Sequence, residues 1–260
     1  MPELPDITVY AESLERLLAG AILRQLVLPS IFLLRTVDPP VDALEGKRVI
    51  GVQRLGKRVV LTFDRDLFAV VHLMIAGRFK WFPAGARVPM NKLILARFEF
   101  DRGTLAITEA GTKRRASLHL LRGAAALAAH DPGGIDPLNC TLDEFAARLQ
   151  AENHTLKRAL TDPSAISGIG NAYSDEILHR ARMSPFSMSQ KLPAADVAAL
   201  FAATREVLSE WLARLRAEAG PGLPEKVTAF RPEMAVHGKF KQPCPVCGAL
   251  VQRIVYADNE

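Results

Sequence analysis

Hydrophobic positions change their period twice along this chain. Between residues 7 and 18, Ile7, Tyr10, Leu14, Leu17 and Leu18 recur on one helical face, with Asp6 suited to cap the start and Gly20 to end the helix. From about residue 22 to 120 the pattern shortens to the β-like runs ILRQLVL, RVIGVQRL, RVVLTF, LFAVVHL, RFKWF, LILARFEF and TLAIT, punctuated by Gly, Pro and Asp. Such spacing predicts an antiparallel sandwich or barrel. The stretch RGAAALAAHDPGGIDPLNCT, residues 122 to 141, dissolves into Pro and Gly and reads as a linker. Helical period then returns. TLDEFAARLQ and TLKRAL each follow a Thr cap, NAYSDEILHRAR places Ala172, Tyr173, Ile177, Leu178 and Ala181 on one side, and a long helix over about 194 to 217 carries Val197, Leu200, Phe201, Leu208, Trp211 and Leu215 as its apolar stripe. The segment EAGPGLPEKVTAFRPEM breaks all periodicity, and CPVCGALVQRIVY reads as one arm of a small hairpin.

The fold class expected is therefore α+β: an N-terminal β-sandwich domain with a flanking helix over residues 1–125, a helical domain over 136–225, and a hairpin over 234–260. Apolar residues make up 49% of the chain, enough for a proper core. The longest apolar run, LFAVVHLMIAG at 67 to 77, is interrupted by His72 and falls short of the roughly 20 residues that cross a bilayer. With no basic-then-apolar N-terminal signal, the expected location is the cytoplasm. Lys and Arg total 33 against 28 acidic residues, a net charge of +5, which leans toward a polyanionic partner. Three cysteines, Cys140 alone and Cys244 with Cys247 in CPVC, do not make a disulfide framework. A CxxC in a cytosolic chain points to metal or redox chemistry.

Candidate chemistry begins at the first residues, MPELPD. Removal of Met1 would leave the secondary amine of Pro2 at the chain terminus. A free α-amine has a pKa of about 7.7 to 8.0, against about 10.4 for lysine, so roughly a third is neutral at pH 7.5. Such an amine can attack a carbon that becomes an iminium, and Glu3 beside it can move the accompanying proton. The plainer alternative is a rigid lead-in to the first helix, with Glu3 and Asp6 favouring its dipole. Lys57 follows Gly56, which suggests a tight turn feeding a strand. Lys113, Arg114 and Arg115 form a basic cluster at a sheet edge that binds phosphate or protects the edge. In SGIGNAYSDEIL, Gly168 and Gly170 allow a tight turn with exposed amides before Asn171 opens a helix, which makes either an anion site or a structural connector. Cys244 and Cys247 would be half of a four-cysteine zinc site. Its second pair is expected roughly 15 to 20 residues later, beyond Glu260, with His237 as another conceivable ligand.

Taken together, PELP, Gly56–Lys57, HLMIAG at 72 to 77, the DPL linker, the segment around GIGN and the CxxC resemble, in collinear order, the bacterial formamidopyrimidine-DNA glycosylases and their endonuclease VIII relatives. The resemblance implies a helix-two-turn-helix domain, a terminal zinc finger holding structural Zn2+, and a base-excision repair enzyme, both glycosylase and lyase, acting on duplex DNA with oxidised bases or abasic sites; the chain is expected to be a monomer. It casts Pro2 as the nucleophile on the anomeric carbon, Glu3 as the acid at the ring oxygen, and Lys57 as a contact to phosphate and the lesion nucleotide. It also assigns His72, Lys157 and Asn171 to phosphates, Met74 or Ile75 to the void left by a flipped nucleotide, and Arg114 to the orphaned base.

The chain departs from that pattern in four places. Ala116 stands where the family has a wedge phenylalanine, Asp6 replaces a glutamate, the loop GPGLPEKVTAFRPEM is unlike the family's lesion-capping loop, and Asn259 aligns with a phosphate-gripping arginine. PELP, where the pyrimidine-specific branch has PEGP, favours oxidised purines, formamidopyrimidine and 8-oxoguanine, with oxidised pyrimidines as the alternative. A DNA-damage binder without catalysis is a further reading, against which Pro2, Glu3 and Lys57 stand together. A tautomerase using an N-terminal proline is another, but it leaves the basic helical domain unexplained.

Overall fold

The computed structural model describes residues 1–89, 91–111 and 113–254, so Thr112 and Asn259 lie outside the described residues. The chain forms two compact units. The first gathers Met1–Pro2, Asp6–Asp131 and Leu215–Val227, and the second Glu3–Pro5, Pro132–Arg214 and Thr228–Glu260.

In the first unit, α1 (Leu4–Leu18) leads into eight strands: β1 (Leu23–Val27), β2 (Val49–Leu55), β3 (Arg58–Phe63), β4 (Leu67–His72), β5 (Gly77–Pro83), β6 (Ile94–Phe100), β7 (Gly103–Glu109) and β8 (Ser117–Arg122). They make two antiparallel four-stranded sheets, ordered β1-β6-β7-β5 and β2-β3-β4-β8. Alternation decides which side chains meet between them. Val59, Leu61 and Phe63 of β3, Ala69 and Val71 of β4, and Leu118 and Leu120 of β8 share one core with Phe79, Phe98, Leu105 and Ile107, and with Ile7, Tyr10, Leu14 and Leu18 of α1. The expected sandwich with a flanking helix is what forms.

Three differences have local causes. Helix α1 starts at Leu4, ahead of Asp6, because Leu4 N–H donates to Gly168 O at 2.8 Å and Pro5 is tolerated in a first turn; Asp6 thus sits within the first turn of the helix and not before it. Strand β8, SLHLLR, escaped the pattern because it follows directly on the basic cluster. The stretch expected as linker contains a short helix, α2 (Ala124–Ala128), whose Ala126 and Leu127 cover Val60, Phe68, Val70 and Leu121 on the other side of the second sheet. Strand β4 is apolar on both faces and needs that cover.

The second unit holds α3 (Leu142–Leu149), α4 (Leu156–Thr161), α5 (Asn171–Ala181) and most of α6 (Ala194–Ala219). Thr141 and Glu144 form a reciprocal capping box at α3. Thr155 precedes α4 as expected, but its side chain makes no cap; its backbone bridges Met188 instead. Phe145, Leu156, Leu160, Ile169, Tyr173, Ile177, Leu200, Leu208 and Trp211 build the core, and Leu4 joins them. No helix among the described residues is long and apolar enough to cross a membrane.

Candidate active site and nucleic-acid interface

Glu3 is only 3% exposed, although it is the third residue of the chain. Its carboxylate accepts the N–H groups of Gly170 at 2.7 Å, Ala172 at 3.0 Å and Tyr173 at 3.2 Å. These amides belong to the first turn of α5 and its N-cap, where a helix leaves donors unpaired and favours negative charge. The GIGN segment thus has the anion-holding amides of one of its two readings, and the anion that the amides of Gly170, Ala172 and Tyr173 hold is the Glu3 carboxylate. Two glycines permit this. Gly168 turns the chain at φ +84°, and at Gly170 a Cβ would lie 2.6 Å from both Cδ and Oε1 of Glu3. Sequence reasoning found the glycines and the amides, yet no local signal ties Glu3 to residues 167 positions away.

Pro2, in the first unit, is buried. In the same unit Gly56, at φ +59°, and Lys57 form the two-residue turn between Leu55 and Arg58, as the sequence predicted. Arg58, His72 and Ser117 stand in one cross-strand row. Burial, with the positive charges of Arg58, Lys57 and His119 nearby, holds the His72 imidazole down at about 4. His119 and His130, whose rings meet edge-to-face at 4.7 Å, are shifted the same way, first by burial and then by neighbouring charge.

The turn after β4 carries Met74 and Ile75. Gly77 N–H closes it on Leu73 O at 2.9 Å, and Arg78 Nη1 donates to the carbonyls of Ile75 and Gly77 at 3.1 and 2.6 Å. Met74 takes a left-handed backbone, φ +53°, and Ile75 is 59% exposed. Holding a methionine there costs about 1 to 2 kcal/mol, so the tight turn overrides local preference. Beside it, exposed Arg114 reaches Lys92 O at 2.6 Å. Ala116 is 3% exposed and packed in the core, so it presents no wedge.

In the second unit the Lys157 ammonium donates to the carbonyl of Asn171 at 2.9 Å and pairs with Asp175, which also binds His237 Nδ1 at 2.8 Å. Glu176, 6% exposed, accepts the N–H groups of Ala235, Val236 and His237. None of these roles for Asp175, Glu176 and His237 was legible, because SDEIL reads simply as helix. His237 is accordingly engaged away from the cysteines. Cys244 instead lies 3.2 Å from His179 Nε2, and its thiol is pulled down to about 6 by the amides of Cys247 and Val246 and by His179. That turn, PVCG, has the amide-to-sulfur pattern a zinc knuckle needs. The turn supplies two thiols, and among the described residues no group of three His, Cys, Asp or Glu side chains converges as a metal site.

The sandwich unit and the helical unit each match a domain of known enzymes. The formamidopyrimidine-DNA glycosylase N-terminal domain matches residues 1–117, and the H2TH domain of the same enzymes matches residues 134–218. The formamidopyrimidine-DNA glycosylase of Exiguobacterium sibiricum is 30% identical over 271 residues, covering 98% of this chain and 94% of that protein. The solved structure of MutM (Fpg) from Thermus thermophilus is 29% identical with a TM-score of 0.82, covering 99% of this chain and 95% of that one. The Lactococcus lactis Fpg bound to DNA containing Fapy-dG shares the fold, at 22% identity and a TM-score of 0.85 over 98% of this chain and 95% of that one. The chain belongs to the formamidopyrimidine-DNA glycosylase family and is a DNA glycosylase of base excision repair.

Proposed function

We propose that this enzyme excises oxidised purines, formamidopyrimidine and 8-oxoguanine, from duplex DNA and then cleaves the strand as a lyase. The observation that carries the reading is the Glu3 carboxylate, one peptide bond from Pro2 and held by three backbone amides. A general acid–base group does its work only when its oxygens are fixed, and a buried clasp of N–H donors fixes them.

Once Met1 is removed, the Pro2 nitrogen attacks C1′ and the C1′–base bond breaks, its electron pair leaving with the base, which takes a proton from water. The Pro2 nitrogen gives its own proton to the Glu3 carboxylate, and the lone pair this frees then opens the sugar. The C1′–O4′ bond breaks as C1′=N⁺ forms, and Glu3 delivers a proton to O4′. The iminium accepts the electron pair released when a base removes the C2′ proton, and the C3′–O bond breaks with departure of the 3′ phosphate. Loss of the C4′ proton expels the 5′ phosphate in the same manner, and water releases Pro2.

Lys57 and His72 serve the phosphates beside the lesion, Met74 and Ile75 fill the vacated stack, and Arg114 faces the orphaned base. Asn171 binds phosphate with its carbonyl held by Lys157. Cys244 and Cys247 contribute two ligands to structural zinc. The PELP start supports the purine reading, and the Lactococcus protein was captured on Fapy-dG DNA.

Duplexes carrying single defined lesions, incubated with borohydride, test this. Covalent adduct on formamidopyrimidine and 8-oxoguanine duplexes is the expected result. Adduct only on oxidised pyrimidines would transfer the enzyme to the other branch, and binding without adduct on any lesion would refute catalysis through an imine.

A further inference from the structure

We propose that Glu109 is a positioning residue that sets the Arg114 turn and the Met74–Ile75 turn together, and so governs how the enzyme reads the base opposite the lesion. This rests on the roles given above to Arg114, Met74 and Ile75.

Glu109 ends β7 and is 1% exposed. Its side chain folds back under the chain that follows. Both carboxylate oxygens accept the N–H of Arg115, at 3.0 and 3.1 Å, and Oε2 also accepts the N–H of Ala116 at 3.2 Å. Two successive amides converging on one anion form a nest, a shape that elsewhere takes up phosphate. Here the chain's own carboxylate fills it, leaving Lys113, Arg114 and Arg115 exposed outside.

The backbone of the same residue holds two more segments. Its register partner across the sheet is Gly77, which closes the Met74–Ile75 turn. Its N–H donates to Leu93 O at 2.9 Å, next to the Lys92 carbonyl that receives Arg114. The two turns also touch: a Cβ placed on Gly111 would lie 3.5 Å from that of Ala76. Void-filling and reading of the orphaned base are therefore referred to one buried anchor.

Glu109→Gln keeps the side chain's size but removes the charge the two amides converge on, and with its oxygen in the Oε2 place its NH2 faces the Arg115 N–H that Oε1 now accepts, so the nest is loosened on that side. The test compares borohydride trapping by wild type, Glu109→Gln, Arg114→Ala and the double variant. The substrates are abasic duplexes with each of the four opposite bases, and single-stranded abasic DNA, which has no orphaned base. We expect the wild-type preference among opposite bases to shrink by about tenfold in Glu109→Gln, by a similar factor in Arg114→Ala, and no further in the double variant, since the two act as a unit. Single-stranded DNA should be trapped by Glu109→Gln at the wild-type rate.

An unchanged preference in Glu109→Gln overturns the proposal. Losses that multiply in the double variant, or single-strand trapping that falls in step with duplex trapping, also overturn it, because they mark independent or general structural damage. A wild-type enzyme without adduct, or without any preference that Arg114→Ala diminishes, defeats the underlying reading and the proposal with it.

Discussion

Gly170→Ala isolates the clasp on Glu3. The backbone there is extended, φ −131° and ψ −159°, a conformation alanine adopts freely, so the substitution adds no backbone strain. Its whole effect is the new methyl, 2.6 Å from Cδ and Oε1 of Glu3. Carbon atoms in contact sit about 3.5 to 4.0 Å apart, so the carboxylate must retreat by about 1 Å. Hydrogen bonds now at 2.7, 3.0 and 3.2 Å cannot all survive such a shift. A bond to a charged group contributes about 1.5 to 3 kcal/mol, and losing the equivalent of one or two predicts destabilisation of about 2 to 4 kcal/mol. If Glu3 moves the proton during sugar opening, its displacement should also slow adduct formation by about a hundredfold, or about 2.7 kcal/mol of barrier. Urea denaturation gives the first quantity and single-turnover borohydride trapping the second. Gly170→Ala with wild-type stability and trapping would refute the steric argument. Lost stability with intact trapping would leave the clasp as architecture and remove Glu3 from the chemistry.

A short N-terminal extension that blocks removal up to Pro2 should abolish trapping while abasic duplex is still bound, because an amide nitrogen has no lone pair to offer; intact-mass spectrometry read beside the trapping gel checks it, and an adduct on the blocked chain would exclude Pro2. Lys157→Ala should weaken duplex binding with little change in its salt slope, since the ammonium already serves Asp175 and the Asn171 carbonyl; a slope smaller by roughly one would mark a direct phosphate contact instead. Folding stability should fall in acid. His72 lies at about 4 in the folded chain and near 6.5 when unfolded, so between those values the unfolded chain binds the extra proton; stability is full above pH 6.5 and declines by about 3 kcal/mol toward pH 4, with His119 and His130 acting in the same direction. Urea midpoints at pH 7.5 and 4.5 measure this, His72→Gln should flatten the difference, and a chain more stable in acid would contradict the sign. Met74→Gly should leave stability unchanged or raised by about 1 kcal/mol, by relieving the left-handed backbone, while slowing lesion excision; thermal melts beside excision rates check both, and a clear loss of stability would show that the Met74 side chain matters more to the fold than its backbone angle does.

Elements whose period is local were legible. Helices α1, α3, α4, α5 and α6 and seven of the eight strands follow from spacing and turn residues, because a side chain's place on a helix or strand repeats with the backbone itself. Strand β8 and helix α2 were missed for the opposite reason: one is masked by an adjoining charge cluster, and the other exists to cover a β4 face that only sheet pairing creates. In the site, Gly56–Lys57 and the GIGN turn could be read, since glycine announces a backbone requirement. Glu109, Asp175 and Glu176 could not. A carboxylate carries the same letter whether it faces water or caps amides seven or sixty residues away.

By itself, then, the order of residues determined a sandwich followed by a helical domain, a basic chain, and a family resemblance carried by PELP, HLMIAG and GIGN. Tertiary structure decided which anion occupies the start of α5, that Ala116 is core and not wedge, that Lys157 supports Asn171, and that Glu109 ties two turns together. The physical reason is range. Periodicity and turn chemistry act over a few residues, whereas hydrogen bonds between buried charges and distant amides exist only after the hydrophobic cores have brought those groups within 3 Å or so of each other.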